Sequence, residues 1–170
     1  FHTSALEEAE RAGFRAYVFG ASDDPARTFH FLQLLRAHRI EVHRLTRRLE
    51  IDDQVFAPEW AYIAPVRQPQ YRMLTALFEQ RTSFQDSLFY DVSTWTMPLA
   101  FGMRWAKLES WPRSATMGMP VETPEFPQGR LVGEAGAYAY AFEWKGYYAP
   151  RALNRLLREE VKAKVATRPF

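Results

Sequence analysis

Three stretches decide the fold: Phe14-Arg15-Ala16-Tyr17-Val18-Phe19, then Asp23-Asp24-Pro25, then Glu41-Val42-His43-Arg44-Leu45. The first is a short apolar, aromatic-rich run and reads as a strand. The second offers an acid as N-cap with Pro at the first helical position, and Phe29, Leu32 and Leu35 recur behind it at helical spacing, so a helix is predicted over 25–38. The third alternates as a half-buried strand does. Together they spell a β-α-β unit.

Working outward, Ser4-Ala5-Leu6-Glu7 has the spacing of a capping box and Gly13 is a stop signal, which predicts a short helix over 4–12. Downstream, Asp52-Asp53 reads as a turn between strands, and Trp60 to Val66 is the next apolar run. Pro69 then opens a helix with Met73, Leu74, Leu77 and Phe78 on one face. Tyr90 to Phe101 is read as a short helix limited by Pro98, with Asp91 as its cap and Trp95 and Leu99 as an i, i+4 pair. Between about 106 and 136 the composition shifts to Pro112, Pro120, Pro124 and Pro127 with four of the eight glycines, which reads as a connection. Tyr138 to Trp144 is expected as a strand, Ala149-Pro150 as a helix start, and Val161 to Ala166 as another strand.

The fold class expected from this order is α/β, a two-layer sandwich based on β-α-β units. A ferredoxin-like arrangement is its nearest simple template, with an open sheet as the alternative. The expected domains are an accessory α/β domain over 1–105, a Pro/Gly-rich connection over 106–136, and a second β-α-β unit over 137–170. That last unit would join the same sheet or begin a second domain, and an open edge there would invite pairing with a second copy. The start at Phe1 and the stop just after an apparent strand predict a segment cut from a longer protein.

The composition narrows the chemistry. The 170 residues are 47% hydrophobic and 25% charged, a globular profile, and no run reaches the ~18 apolar residues of a membrane span. There is no Cys, which removes thiol nucleophiles, zinc–thiolate sites, iron–sulfur ligation and disulfides in one step. The net charge of +2, with Arg far outnumbering Lys, shows no basic clustering, so nucleic acid is not the expected partner.

The one metal-type spacing, His38-x-x-Glu41 with His43 behind it, straddles a helix end and a strand start, and no His follows His43. No serine sits in a Gly-x-Ser-x-Gly elbow. Gly133-Glu134-Ala135-Gly136 precedes a strand where a phosphate loop follows one. Glu143 stands out among the carboxylates because it lies between the aromatic residues Phe142 and Trp144.

The motifs Gln68-Pro69-Gln70, Leu77-Phe78-Glu79 and Phe89-Tyr90-Asp91-Val92-Ser93-Thr94-Trp95-Thr96-Met97-Pro98-Leu99-Ala100-Phe101-Gly102 resemble a region of large bacterial zinc carboxypeptidase-like proteins. These belong to the carboxypeptidase A superfamily, and the region lies downstream of their peptidase domain. Tyr140 to Trp144 and Tyr148 to Asn154 resemble the approach to the glutamine amidotransferase-like domain that some of them carry.

The resemblance implies a parent that hydrolyses peptides at the C-terminus with zinc, and a secreted or periplasmic parent is compatible with it. It implies no catalytic residue, metal ligand or cofactor in this segment, whose partners would be the parent's other domains, with a homo-oligomer the second option and no membrane. Asp91, Trp95, Arg104, Glu143 and Trp144 are the interaction or motif residues it singles out. The rival reading is a free-standing Arg-rich α/β domain that binds nucleic acid or a ligand.

Overall fold

The computed structural model describes residues 2–80, 96–112, 116–134 and 136–168. They fall into two compact units, Phe1–Phe126 and Pro127–Phe170.

The first unit opens with helix α1 (His2–Arg11), strand β1 (Ala16–Gly20), helix α2 (Pro25–Ala37) and strand β2 (His43–Leu45). A hairpin follows, β3 (Leu49–Ile51) and β4 (Gln54–Phe56), then strand β5 (Ala61–Pro65), helix α3 (Tyr71–Phe78) and the one-turn helix α4 (Met97–Ala100). Strands β6 (Arg104–Leu108) and β7 (Met117–Pro120) end it.

The main sheet runs β6-β1-β5-β2-β7, and every neighbouring pair is antiparallel. β1 and β2 are joined through α2 with β5 lying between them, and β5 and β6 are joined through α3 with β1 between them. Two interlocked split β-α-β units of this kind are the ferredoxin-like arrangement, here with β7 added outside β2. The chain is therefore an α/β sandwich, as the sequence predicts.

Local chemistry explains the elements. Asp24 caps α2, its Oδ1 accepting from the backbone N–H groups of Ala26 and Arg27 at 3.1 and 3.3 Å, and Pro25 takes the first turn, where its missing N–H is no loss. Asp52 and Asp53 both sit at positive φ, 50° and 60°, as the two-residue turn of the β3–β4 hairpin requires. Gly20 has no substitute: a Cβ there would lie 2.5 Å from the Trp60 carbonyl oxygen.

Both faces of the sheet are covered. On the helix side Tyr17 and Phe19 of β1 pack with Phe31, Leu32, Leu35, Leu74 and Phe78. Phe78 is the hub of this layer, stacked on Tyr17 at 4.3 Å between ring centres and within 6 Å of the Phe19, Phe31 and Trp105 rings. On the opposite face Ala16, Val18, Ile63, Ala106 and Leu108 meet Leu49 and Phe56 of the hairpin. All five residues of β1 are consequently buried.

Several expectations are corrected. The helix over 4–12 begins at His2, so Ser4 is inside it rather than its cap, and the Ser4 hydroxyl accepts instead from Arg72 Nη2 at 3.0 Å. The expected connection over 106–136 contains the end of β6 and all of β7. β6 is an edge strand that carries the charged Arg104 and Lys107, and β7 is the other edge strand, where Gly118 and Pro120 are tolerated. The boundary between units follows Phe126, not 105.

In the second unit helix α5 (Ala149–Arg158) forms as expected, but neither 138–144 nor 161–166 is a strand. The aromatic alternation of 138–144 supplies an apolar face, yet no neighbouring strand pairs with it there, and β structure is stable only when paired. The described residues of that unit thus hold one helix and no second β-α-β unit.

One buried polar side chain holds the sandwich's turn region. Gln68, 1% exposed, accepts from the Glu41 backbone N–H at 2.7 Å through Oε1 and donates through Nε2 to the carbonyls of Pro65 and Glu41 at 2.6 and 3.2 Å. It ties the approach to β2 onto the end of β5. Gln68→Leu keeps the volume but strands three backbone groups, and is expected to cost about 2–4 kcal/mol in urea unfolding with an unchanged m-value. A loss below about 0.5 kcal/mol would show the bridge to be dispensable.

Candidate functional site

Of the five singled-out residues, Asp91 and Trp95 lie outside the described residues. Arg104 is the first residue of β6, exposed, and it borders a cleft of about 420 Å³ with Asp52, Gln54 and Trp105. Glu143 and Trp144 belong to the second unit. The Glu143 carboxylate is ion-paired to Lys145 Nζ at 2.8 Å with both side chains mostly in solvent, which is a weak surface interaction. Trp144 is 60% exposed.

Trp144 is one of a series. Tyr138, Tyr140, Phe142, Trp144 and Tyr147 are all exposed large aromatics, and Ala149 is the single buried residue among the described residues of 127–168. Local contacts fix parts of this surface. Tyr140 Oη accepts from the Gly136 N–H at 3.0 Å, Tyr147 and Tyr148 meet edge to face at 5.1 Å, and the Arg151 guanidinium lies 5.7 Å from the Tyr148 ring centre.

In α5 the spacing places Leu153, Leu156 and Leu157 on one side and Arg151, Arg155 and Arg158 on the other. Leu157 is 58% exposed while Leu153 and Leu156 are partly buried, so the stripe is open to solvent chiefly at Leu157.

The histidines behave differently from the sequence reading, which placed His43 on the strand surface. His43 is half-buried between β2 and β7. Its Nδ1 lies 2.9 Å from the Gly118 carbonyl oxygen and its Nε2 lies 2.7 Å from Glu41 Oε1. Both partners are acceptors, so the ring donates at both nitrogens only when it carries both protons.

Glu41 is thereby committed to His43, and His38 sits at the C-cap of α2. Among the described residues no group of three His, Cys, Asp or Glu side chains converges. The zinc implied for the parent by the resemblance is thus not fitted by these residues.

Two acids and two bases tie α1 to the rest of the first unit. Arg72 on α3 forms a two-pronged pair with the Glu8 carboxylate at 2.6 and 2.9 Å, and Arg67 meets Glu10 at 3.0 Å. The Arg72 hydrogen bond holds the Glu8 carboxyl below the usual carboxylate range.

Among the described residues, no helix is long and apolar enough to cross a membrane. No family model, no curated protein and no solved structure matches the chain.

The Glu8–Arg72 pair carries a pH signature. A carboxyl whose folded value is lowered contributes its stabilisation in full above the unfolded value and loses it as pH falls through the folded one. Glu8→Gln is therefore expected to lower the melting temperature at pH 7, with the gap to the parent chain closing as the pH drops into the acid range. A gap that stays constant down to pH 3 would show that the pair's charge contributes nothing.

Proposed function

We propose that this chain is a non-catalytic accessory module of a zinc carboxypeptidase-like protein. The α/β sandwich is its folded body, and the unit after Phe126 is a docking element for another domain of that protein. The supporting observation is the surface of the second unit, where the exposed aromatics Tyr138, Tyr140, Phe142, Trp144 and Tyr147 and the exposed Leu157 of α5 accompany one buried residue among those described.

A segment of this size with so little of its own core gains little from burial to offset the entropy of ordering it, and several large apolar side chains exposed in one short segment favour an interaction role. Tyr and Trp suit that role because they bring large contact area with few rotatable bonds. The family resemblance of 140–144 and 148–154 supports the same reading, since it places them at a junction between domains.

The test is calorimetric titration of the chain with the separately produced peptidase domain of a longer protein that contains it. Saturable binding is expected, weakened about 30-fold or more by combining Trp144→Ala with Leu157→Asp, the effect of losing an anchor worth about 2 kcal/mol. Equilibrium dialysis of the chain alone is expected to show no stoichiometric zinc. Stoichiometric, chelator-sensitive zinc, or binding untouched by the double variant, would overturn the proposal.

A further inference from the structure

A second surface, in the sandwich itself, is independent of the docking element. Between α1, α3 and β6 lies a cleft of about 480 Å³, within the usual range of small-molecule sites. Tyr17 forms its floor. The ring of Tyr17 is clamped by stacking on Phe78 and by edge contacts with Phe14 at 4.9 Å and Trp105 at 6.0 Å, so its hydroxyl is aimed rigidly.

That hydroxyl has no hydrogen-bond partner among the described residues, although Tyr17 is only 2% exposed. No side-chain nitrogen or oxygen sealed from solvent lacks a partner there, so the Tyr17 oxygen opens into the cleft rather than into the core. For packing alone Phe would serve as well and would carry no polar atom to desolvate. Burial, with smaller contributions from Tyr71 and Glu79, pushes the phenol well above its ordinary range, so it stays a hydrogen-bond donor at any physiological pH.

The strand register places Lys107 directly opposite Tyr17, hence on the same face of the sheet. The Lys107 ammonium lies 5.0 Å from the Phe14 ring centre and has no carboxylate partner among the described residues. The other cation of the rim, Arg72, is taken up by Glu8. One positive charge without a carboxylate partner among the described residues, resting over the Phe14 ring beside one rigid donor, matches a single negative charge. The carboxylates of Glu8 and Glu79 on the same rim disfavour a dianion or a polyanion.

The walls are aromatic, Phe14 and Tyr71, and accept a flat apolar body. From this geometry we infer that the cleft binds a small aromatic carboxylate, its ring against Phe14 and Tyr71 and its carboxylate shared by Lys107 Nζ and Tyr17 Oη.

The experiment titrates the full chain with 3-phenylpropanoate, 3-phenylpropanol and 2-phenylethylammonium, followed by amide chemical shifts. Saturable shifts centred on Phe14, Tyr17 and Lys107 are expected for the carboxylate, with a Kd of order 1 mM. The alcohol is expected to bind at least about fivefold more weakly and the ammonium not at all. Tyr17→Phe and Lys107→Met are each expected to weaken the carboxylate about three- to tenfold, with unchanged far-ultraviolet dichroism. No saturable shift up to about 20 mM, equal binding of the alcohol, or variants that bind like the parent chain would overturn the inference. The comparison of the three ligands needs no variant, so it decides the matter even if a substitution disturbs folding.

Discussion

Strand β1 (Ala16–Gly20), enclosed in the main sheet between β6 and β5, has no solvent face, and the arrangement of the first unit follows from that constraint. Its odd and even side chains must both be covered, so one layer of helices and one hairpin are recruited to opposite sides of the same sheet. Burying the aromatic side contributes most: Tyr17 and Phe19 meet Phe31 and Phe78 in contacts that add to simple area burial. The hairpin side is built from smaller residues, Ala16, Val18 and Ala106, which lets Phe56 approach closely. Gly20 ends the strand where the Trp60 backbone leaves no room for a side chain.

The same constraint links fold to surface. A strand fully enclosed within the sheet holds its side chains rigidly, and Tyr17 uses that rigidity to present a polar atom at the cleft bordered by α1, α3 and β6. Lys107 reaches the same spot because β6 is the sheet edge and its exposed residues can extend past the core. The second unit works by the opposite logic. Among its described residues only Ala149 is buried, and its large aromatics and Leu157 are exposed.

Much of the sandwich was legible in sequence because its signals are local. Asp24-Pro25 names a helix start through cap chemistry, Asp52-Asp53 names a turn through tolerance of positive φ, and Leu32 and Leu35 name a buried stripe through spacing. The strand order was only approached through a template, since no local signal says that β5 inserts between β1 and β2. β7 was hidden by Gly118 and Pro120, which read as breakers but are acceptable at an edge.

The opposite error arose at 138–144, where alternation predicted a strand that has no partner. The Tyr17–Lys107 cleft was illegible for a related reason: residues 90 positions apart become neighbours only through register. Of the singled-out residues, Arg104 and Trp144 are exposed, and Glu143 is ion-paired with Lys145.

Hydrogen exchange followed residue by residue tests the division between a self-sufficient sandwich and a unit without its own sheet. The amides of β1 are predicted to exchange only through global unfolding, in the slowest class of the chain, while those of 138–144 and 161–166 exchange rapidly. Protection at 138–144 and 161–166 comparable to that of β1 would show a second sheet there and contradict the account.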